Sequence, residues 1–262
     1  MTKLNQQNNP LFTSKINYPI SFDGCVKSNL PYSTDPLLVM DIYYPGKRST
    51  PAPVVILVIG YPDQGFEQMT GLKIKEVQQY ISWAQLFAVS GTTAITYSNI
   101  EPEKDIFTLL QHLKGNAVDL GIDSENISLW SCSGNVPNAL SVLASDSSIK
   151  CAALLYGFMI DLNCSQVVAD ASEVFKFVHP LKGVNSLPEF PPILVVRAGQ
   201  DEMQGLNSSI DTFIDRGLKN NMPVTLINLP EAHHSFDLFD ESKRIKTTIR
   251  NILEFINNHL TR

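Results

Sequence analysis

The 262-residue sequence is short of positive charge: 20 Lys and Arg stand against 26 Asp and Glu, for a formal net charge of -6. Nucleic acids and anionic membranes are held by clustered basic residues, and no such cluster occurs. Long apolar runs are also missing. The longest, at 54–59 and 152–156, fall far short of the roughly 20 residues needed to span a bilayer. The first residues, MTKLNQQNNPLFTSK, are polar and lack the apolar core of a secretory signal, so a soluble, cytoplasmic protein is expected. Cys25, Cys132, Cys151 and Cys164 form no CxxC pair, and no Cys/His cluster has zinc-ligand spacing. Buried, reduced thiols and no metal are therefore expected. No glycine-rich phosphate loop is present either. The stretch from Gly60 to Gly65 lacks the Lys-Ser/Thr of a P-loop and the spacing of a dinucleotide fingerprint, which leaves no expected cofactor.

What the chain does have is apolar substance. Its hydrophobic fraction is 44%, enough to bury a sizeable core without crosslinks. β-rich apolar runs alternate with helix-like segments, the pattern of a mostly parallel sheet with helices on both faces. Strands are expected at 16–22, 37–44, 54–59, 92–97, 126–130, 150–158, 193–197 and 224–229. The first two suit an antiparallel start. Helices are expected at 76–89, 102–114, 208–218 and from 242 onward, where Ile245, Ile249, Ile252 and Ile256 share a face. Residues 160–190 break the alternation and read as a lid or cap insertion. The expected organisation is a flexible segment at 1–15 followed by one α/β domain at 16–262.

Chemistry concentrates at Ser131-Cys132-Ser133-Gly134-Asn135, where a strand ends and a helix begins. A nucleophile held at the apex of such a turn needs small residues two positions to either side, because strand and helix pass close together there. Ser131 at the apex would put Leu129 in a crowded position, and Cys132 would put Trp130 there. Ser133 is flanked by Ser131 and Asn135, the sterically reasonable register. It also places Gly134 where a backbone N–H is needed for an oxyanion. Pro137 falls in the first helical turn, where its missing N–H costs little.

In this segment, and from Leu37-Leu38-Val39-Met40-Asp41-Ile42-Tyr43-Tyr44-Pro45 to the last helix, the sequence resembles the α/β-hydrolase superfamily, in its carboxylesterase and dienelactone-hydrolase-like branches. The resemblance implies a mostly parallel sheet of about eight strands with a small lid. It departs from the G-x-S-x-G pattern at Ser131 and Asn135. It implies an acid at Asp201, after the strand at 193–197, with Glu202 and Asp161 as rivals. It implies a histidine at His234 within His233-His234-Ser235-Phe236, and a second oxyanion donor at the Tyr61 N–H beside Gly134. Pro62 has no N–H to offer. The implied activity is cleavage of a small-molecule carboxylic ester through an acyl-serine. A prolyl-oligopeptidase-like peptidase, a thioesterase and a catalytically inactive ligand-binding protein are the alternatives.

Overall fold

A computed structural model describes residues 9–46, 51–182 and 187–260. The chain opens with a helical turn α1 (Pro10–Thr13), then strands β1 (Val26–Pro31), β2 (Val39–Tyr43) and β3 (Ala52–Leu57). Helices α2 (Asp63–Thr70) and α3 (Gln78–Val89) lead to β4 (Thr93–Tyr97). Next come α4 (Pro102–Gly115), α5 (Ala117–Leu120), β5 (Ile122–Cys132), α6 (Val136–Ser145) and β6 (Ile149–Leu155). Helix α7 (Val167–Phe175) lies between β6 and β7 (Ile193–Ala198). The chain then runs through α8 (Leu206–Lys219), β8 (Val224–Leu229), α9 (Phe236–Phe239) and α10 (Lys243–Leu260).

The strands form one sheet in the order β1-β2-β4-β3-β5-β6-β7-β8. β2 is antiparallel to both β1 and β4, and the remaining pairs are parallel. The central strands are buried on both faces, which is why Val54, Val55, Ile56, Leu57 and Leu129 read as continuous apolar runs. Helices cover both faces. On α10, Ile245, Ile249, Ile252 and Ile256 all point into the core, as their spacing implies. Among the described residues, no helix is long and apolar enough to cross a membrane.

One expected strand is absent. Residues 16–22 alternate apolar and polar but pair with no strand, and Pro19 has no N–H for a ladder. The segment instead packs along α3 and α9. The Ile16 N–H donates to Ser82 Oγ, and the Asn17 N–H donates to the Asp237 carbonyl. The edge strand next to β2, β1, is mostly exposed, and Lys27, Ser28 and Asn29 interrupt it, so it carries no continuous apolar run. Two thiols also differ from expectation. Cys132 and Cys151 are buried, but Cys25 and Cys164 are exposed, and all four are free. The expected lid span at 160–190 holds α7, and residues 183–186 within it lie outside the described residues. Within the expected flexible segment, 1–8 also lie outside them, while Phe12 of α1 packs edge-on against Phe66.

Candidate active site

β5 carries the chain to Cys132, and Ser133 then adopts φ +55°, a left-handed conformation that a non-glycine residue holds only when its surroundings compel it. A short turn, Ser133–Asn135, leads directly into α6 with Pro137 in its first turn. The strain lifts Ser133 to the carboxyl edge of the sheet, where parallel α/β sheets present their crevices.

His234 and Asp201 converge there from neighbouring strands. The Ser133 Oγ lies 2.9 Å from His234 Nε2, and His234 Nδ1 lies 2.6 Å from Asp201 Oδ2. The Asp201 carboxylate is fully buried, whereas the His234 side chain keeps 26% of its surface exposed. The loops bearing the two residues are laced together beyond the β7–β8 ladder: Gly199 N–H donates to Leu229 and Gln200 N–H to Ala232. Asp201 Oδ1 also accepts from the Met203 N–H, which fixes the carboxylate plane. The rivals fall elsewhere. Glu202 and His233 are exposed. Asp161 is buried, but its two oxygens accept from the Val168 and Ala169 N–H groups and cap the start of α7.

The loop after β3 is pinned group by group. Ile59 donates its N–H to the Tyr97 hydroxyl and its carbonyl accepts from Asn138. Gly60 donates to Asn135 Oδ1 at 2.7 Å, and its carbonyl accepts from the Val178 N–H at 2.8 Å. The Tyr61 carbonyl accepts from Asn99. Of the backbone groups of these three residues, the Tyr61 N–H is the one with no acceptor among the described residues. Asn135, the departure from the usual small residue, thus ties this loop to the turn at Ser133. Its Nδ2 also donates to the Cys132 carbonyl. The space a small residue would have left is supplied from the other side. A Cβ on Gly60 would sit 2.8 Å from both Asn135 Cα and the Gly134 carbonyl.

Behind His234 lies a polar node that sequence reasoning missed. The Asp237 carboxylate is fully buried and accepts from Gln79 Nε2, Trp83 Nε1 and the Tyr156 hydroxyl at 2.7–2.8 Å. The Tyr156 ring stands edge-to-face against His234 at 4.9 Å. Burial, with the charge of Asp237 nearby, pushes the Cys132 thiol well above its usual range, so it stays neutral beside Ser133. Burial likewise keeps the Tyr61 hydroxyl protonated. Among the described residues, no group of three or more His, Cys, Asp and Glu could hold a metal.

No family model and no curated protein matches the sequence. Solved structures do match. An α/β hydrolase enzyme from the metagenome of Lake Arreo, Spain, superposes with a TM-score of 0.70 at 17% identity, over 95% of this chain and 86% of that one. The chain has the α/β-hydrolase fold. A bacterial heroin esterase gives a TM-score of 0.66 at 16% identity, over 93% of this chain and 87% of its own. The esterase LipW from Mycobacterium marinum gives 0.67 at 16% identity, over 91% and 83%. Within this α/β-hydrolase fold, Ser133 follows β5 at mid-sheet, and Asp201 and His234 follow the last two strands.

Proposed function

We propose that this chain is a serine hydrolase that cleaves carboxylic esters through an acyl-serine intermediate. The observation that carries the proposal is the continuous relay Ser133 Oγ–His234–Asp201, at 2.9 and 2.6 Å, with Ser133 on a strained apex. A serine hydroxyl is a poor nucleophile until a base takes its proton. His234 Nε2 is in reach to do so, and Asp201 holds the ring in the tautomer that leaves Nε2 free to accept. Attack on the ester carbonyl forms the Ser133 Oγ–C bond and drives the carbonyl electrons onto oxygen. The N–H groups of Gly134 and Tyr61 then hold the oxyanion, each contributing about 3 kcal/mol by analogy with other hydrolases. His234 returns its proton to the departing alkoxide, giving the alcohol. A water activated by the same histidine releases the acid and restores the serine.

Support for Tyr61 comes from its being the free N–H in a loop whose other backbone groups are engaged. The alternative of an inactive binding protein draws on Asn135 as a departure from the family pattern. The hydrogen bond from the Gly60 N–H to Asn135 gives that departure a constructive part in the site instead. Fluorophosphonate labelling of the purified protein, with peptide mapping, tests the proposal. Stoichiometric label at Ser133 is expected. Ser133→Ala is expected to take no label and to lose at least about 10³-fold in kcat. A fully active Ser133→Ala protein would sink the assignment.

A further inference from the structure

The surroundings of Gly134 carry a statement about substrate size. Phe177 follows α7. A Cβ on Gly134 would meet the Tyr61 hydroxyl at 2.2 Å and Phe177 Cδ1 at 2.7 Å. The Tyr61 and Phe177 side chains therefore lie together on the residue after the nucleophile. Phe177 stacks on Phe158 at 5.3 Å with an interplanar angle of 24°, and meets Tyr61 edge-on at 6.1 Å. Phe158 and Phe177 are both buried, at 0% and 4% exposure, so the wall is packed and not a loose flap. The next residue fixes it: the Val178 N–H donates to the Gly60 carbonyl at 2.8 Å, on the same loop that carries Tyr61.

From this we infer that Phe177, beside Tyr61 and backed by Phe158, closes the acyl side of the site and restricts the enzyme to short acyl groups. The inference rests on the ester-hydrolase reading above and deepens it. In the tetrahedral intermediate three of the four directions around the reacting carbon are assigned: Ser133 Oγ, the oxyanion at the Gly134 and Tyr61 N–H groups, and the alcohol oxygen toward His234. The acyl chain takes the fourth, away from His234 and alongside the elbow, where Tyr61 and Phe177 stand over Gly134. An acetyl group fits beside such a wall. A long chain has to displace a buried, stacked aromatic pair.

The chain-length dependence therefore has a definite sign. An open apolar channel raises kcat/KM about fourfold per added methylene, so going from butyrate to octanoate gains more than about a hundredfold. A closed wall makes the same series fall. Expected for the wild type on p-nitrophenyl esters is a drop in kcat/KM of at least about tenfold from butyrate to octanoate. Phe177→Ala is expected to raise the octanoate-to-acetate ratio at least about tenfold. Phe177→Leu, a milder change that preserves apolar packing, is expected to lie between them. A wild type that prefers octanoate overturns the inference while leaving the hydrolase reading intact. So does a folded Phe177→Ala or Phe177→Leu protein with an unchanged ratio. Absence of hydrolysis at every chain length, with no fluorophosphonate label on Ser133, overturns the hydrolase reading and the inference together.

Discussion

Gly60→Ala tests whether the site depends on the contact between two loops. The added Cβ would stand 2.8 Å from Asn135 Cα and from the Gly134 carbonyl oxygen, where ordinary contacts begin near 3.4 Å. Relief requires the two loops to part by about 0.6 Å. Both obstacles are backbone, so no rotamer change absorbs the clash. Overpacking of this kind costs about 1–3 kcal/mol in stability. The parting also separates the Tyr61 N–H from the Gly134 N–H, the two groups proposed to hold one oxyanion. A misplacement of about 1 Å can cost about 10²-fold in rate, so a shift of roughly half that predicts a loss of about tenfold in kcat, or about 1.4 kcal/mol of barrier. Steady-state hydrolysis of p-nitrophenyl acetate, with urea unfolding in parallel, measures both effects. Gly65→Ala is the control: nothing lies within 4 Å of its new Cβ, and it sits in α2. Alanine there is expected to add about 0.5–1 kcal/mol of stability with activity unchanged. Gly60→Ala activity within twofold of the wild type, in a protein of unaltered stability, would refute the reasoning.

Two further outcomes follow from buried polar groups. Asp237→Ala strands the Trp83 N–H and the Tyr156 hydroxyl without their acceptor, so the urea midpoint should fall by the equivalent of about 3 kcal/mol; an unchanged midpoint would show that the node contributes nothing to stability. Burial holds His179 below the ordinary imidazole range, against the opposing pull of Asp161 Oδ2 at 3.5 Å. The unfolded chain therefore binds this proton more tightly, so the stability tied to neutral His179 is complete above about pH 6.5 and drains away as the pH falls below it. Between pH 7.5 and 5 the urea midpoint of His179→Leu should accordingly drop less than that of the wild type, and a steeper drop in the variant would contradict the sign.

The parts of this architecture legible in the sequence are those written in one continuous stretch. The buried strands showed as apolar runs, α10 as an isoleucine stripe, and the register at Ser133 as a steric choice among three adjacent positions. Elements whose signal is held elsewhere were not legible. β1 is a mostly exposed edge strand interrupted by Lys27, Ser28 and Asn29, and residues 16–22 borrow a strand-like alternation to pack against α3. α2, where no helix is expected, contains Gly65 and keeps only Asp63 and Thr70 buried. Asn135 looked like a defect because its partner, the Gly60 N–H, lies 75 positions away. The close approach that the usual pattern secures with a glycine beside the serine is secured here by a glycine on the opposing loop. Phe177 could be placed in the inserted segment, but not over Gly134, since that contact depends on how the segment folds back.

The Asp237 node also bears on when the site comes into being. Its bonds reach across 158, 154 and 81 positions, to Gln79, Trp83 and Tyr156. Contacts of that span form only after long loops have closed, and loop closure of this kind is slow. The histidine three residues ahead of Asp237 is thus seated by a segment docking onto parts of the chain that precede it by 81 to 158 positions. A nascent or partly refolded chain can present the strained serine while His234 is not yet beside it. Hydrolytic competence should then return in step with the burial of Trp83, and a refolding experiment in which activity precedes the change in tryptophan fluorescence would contradict this order.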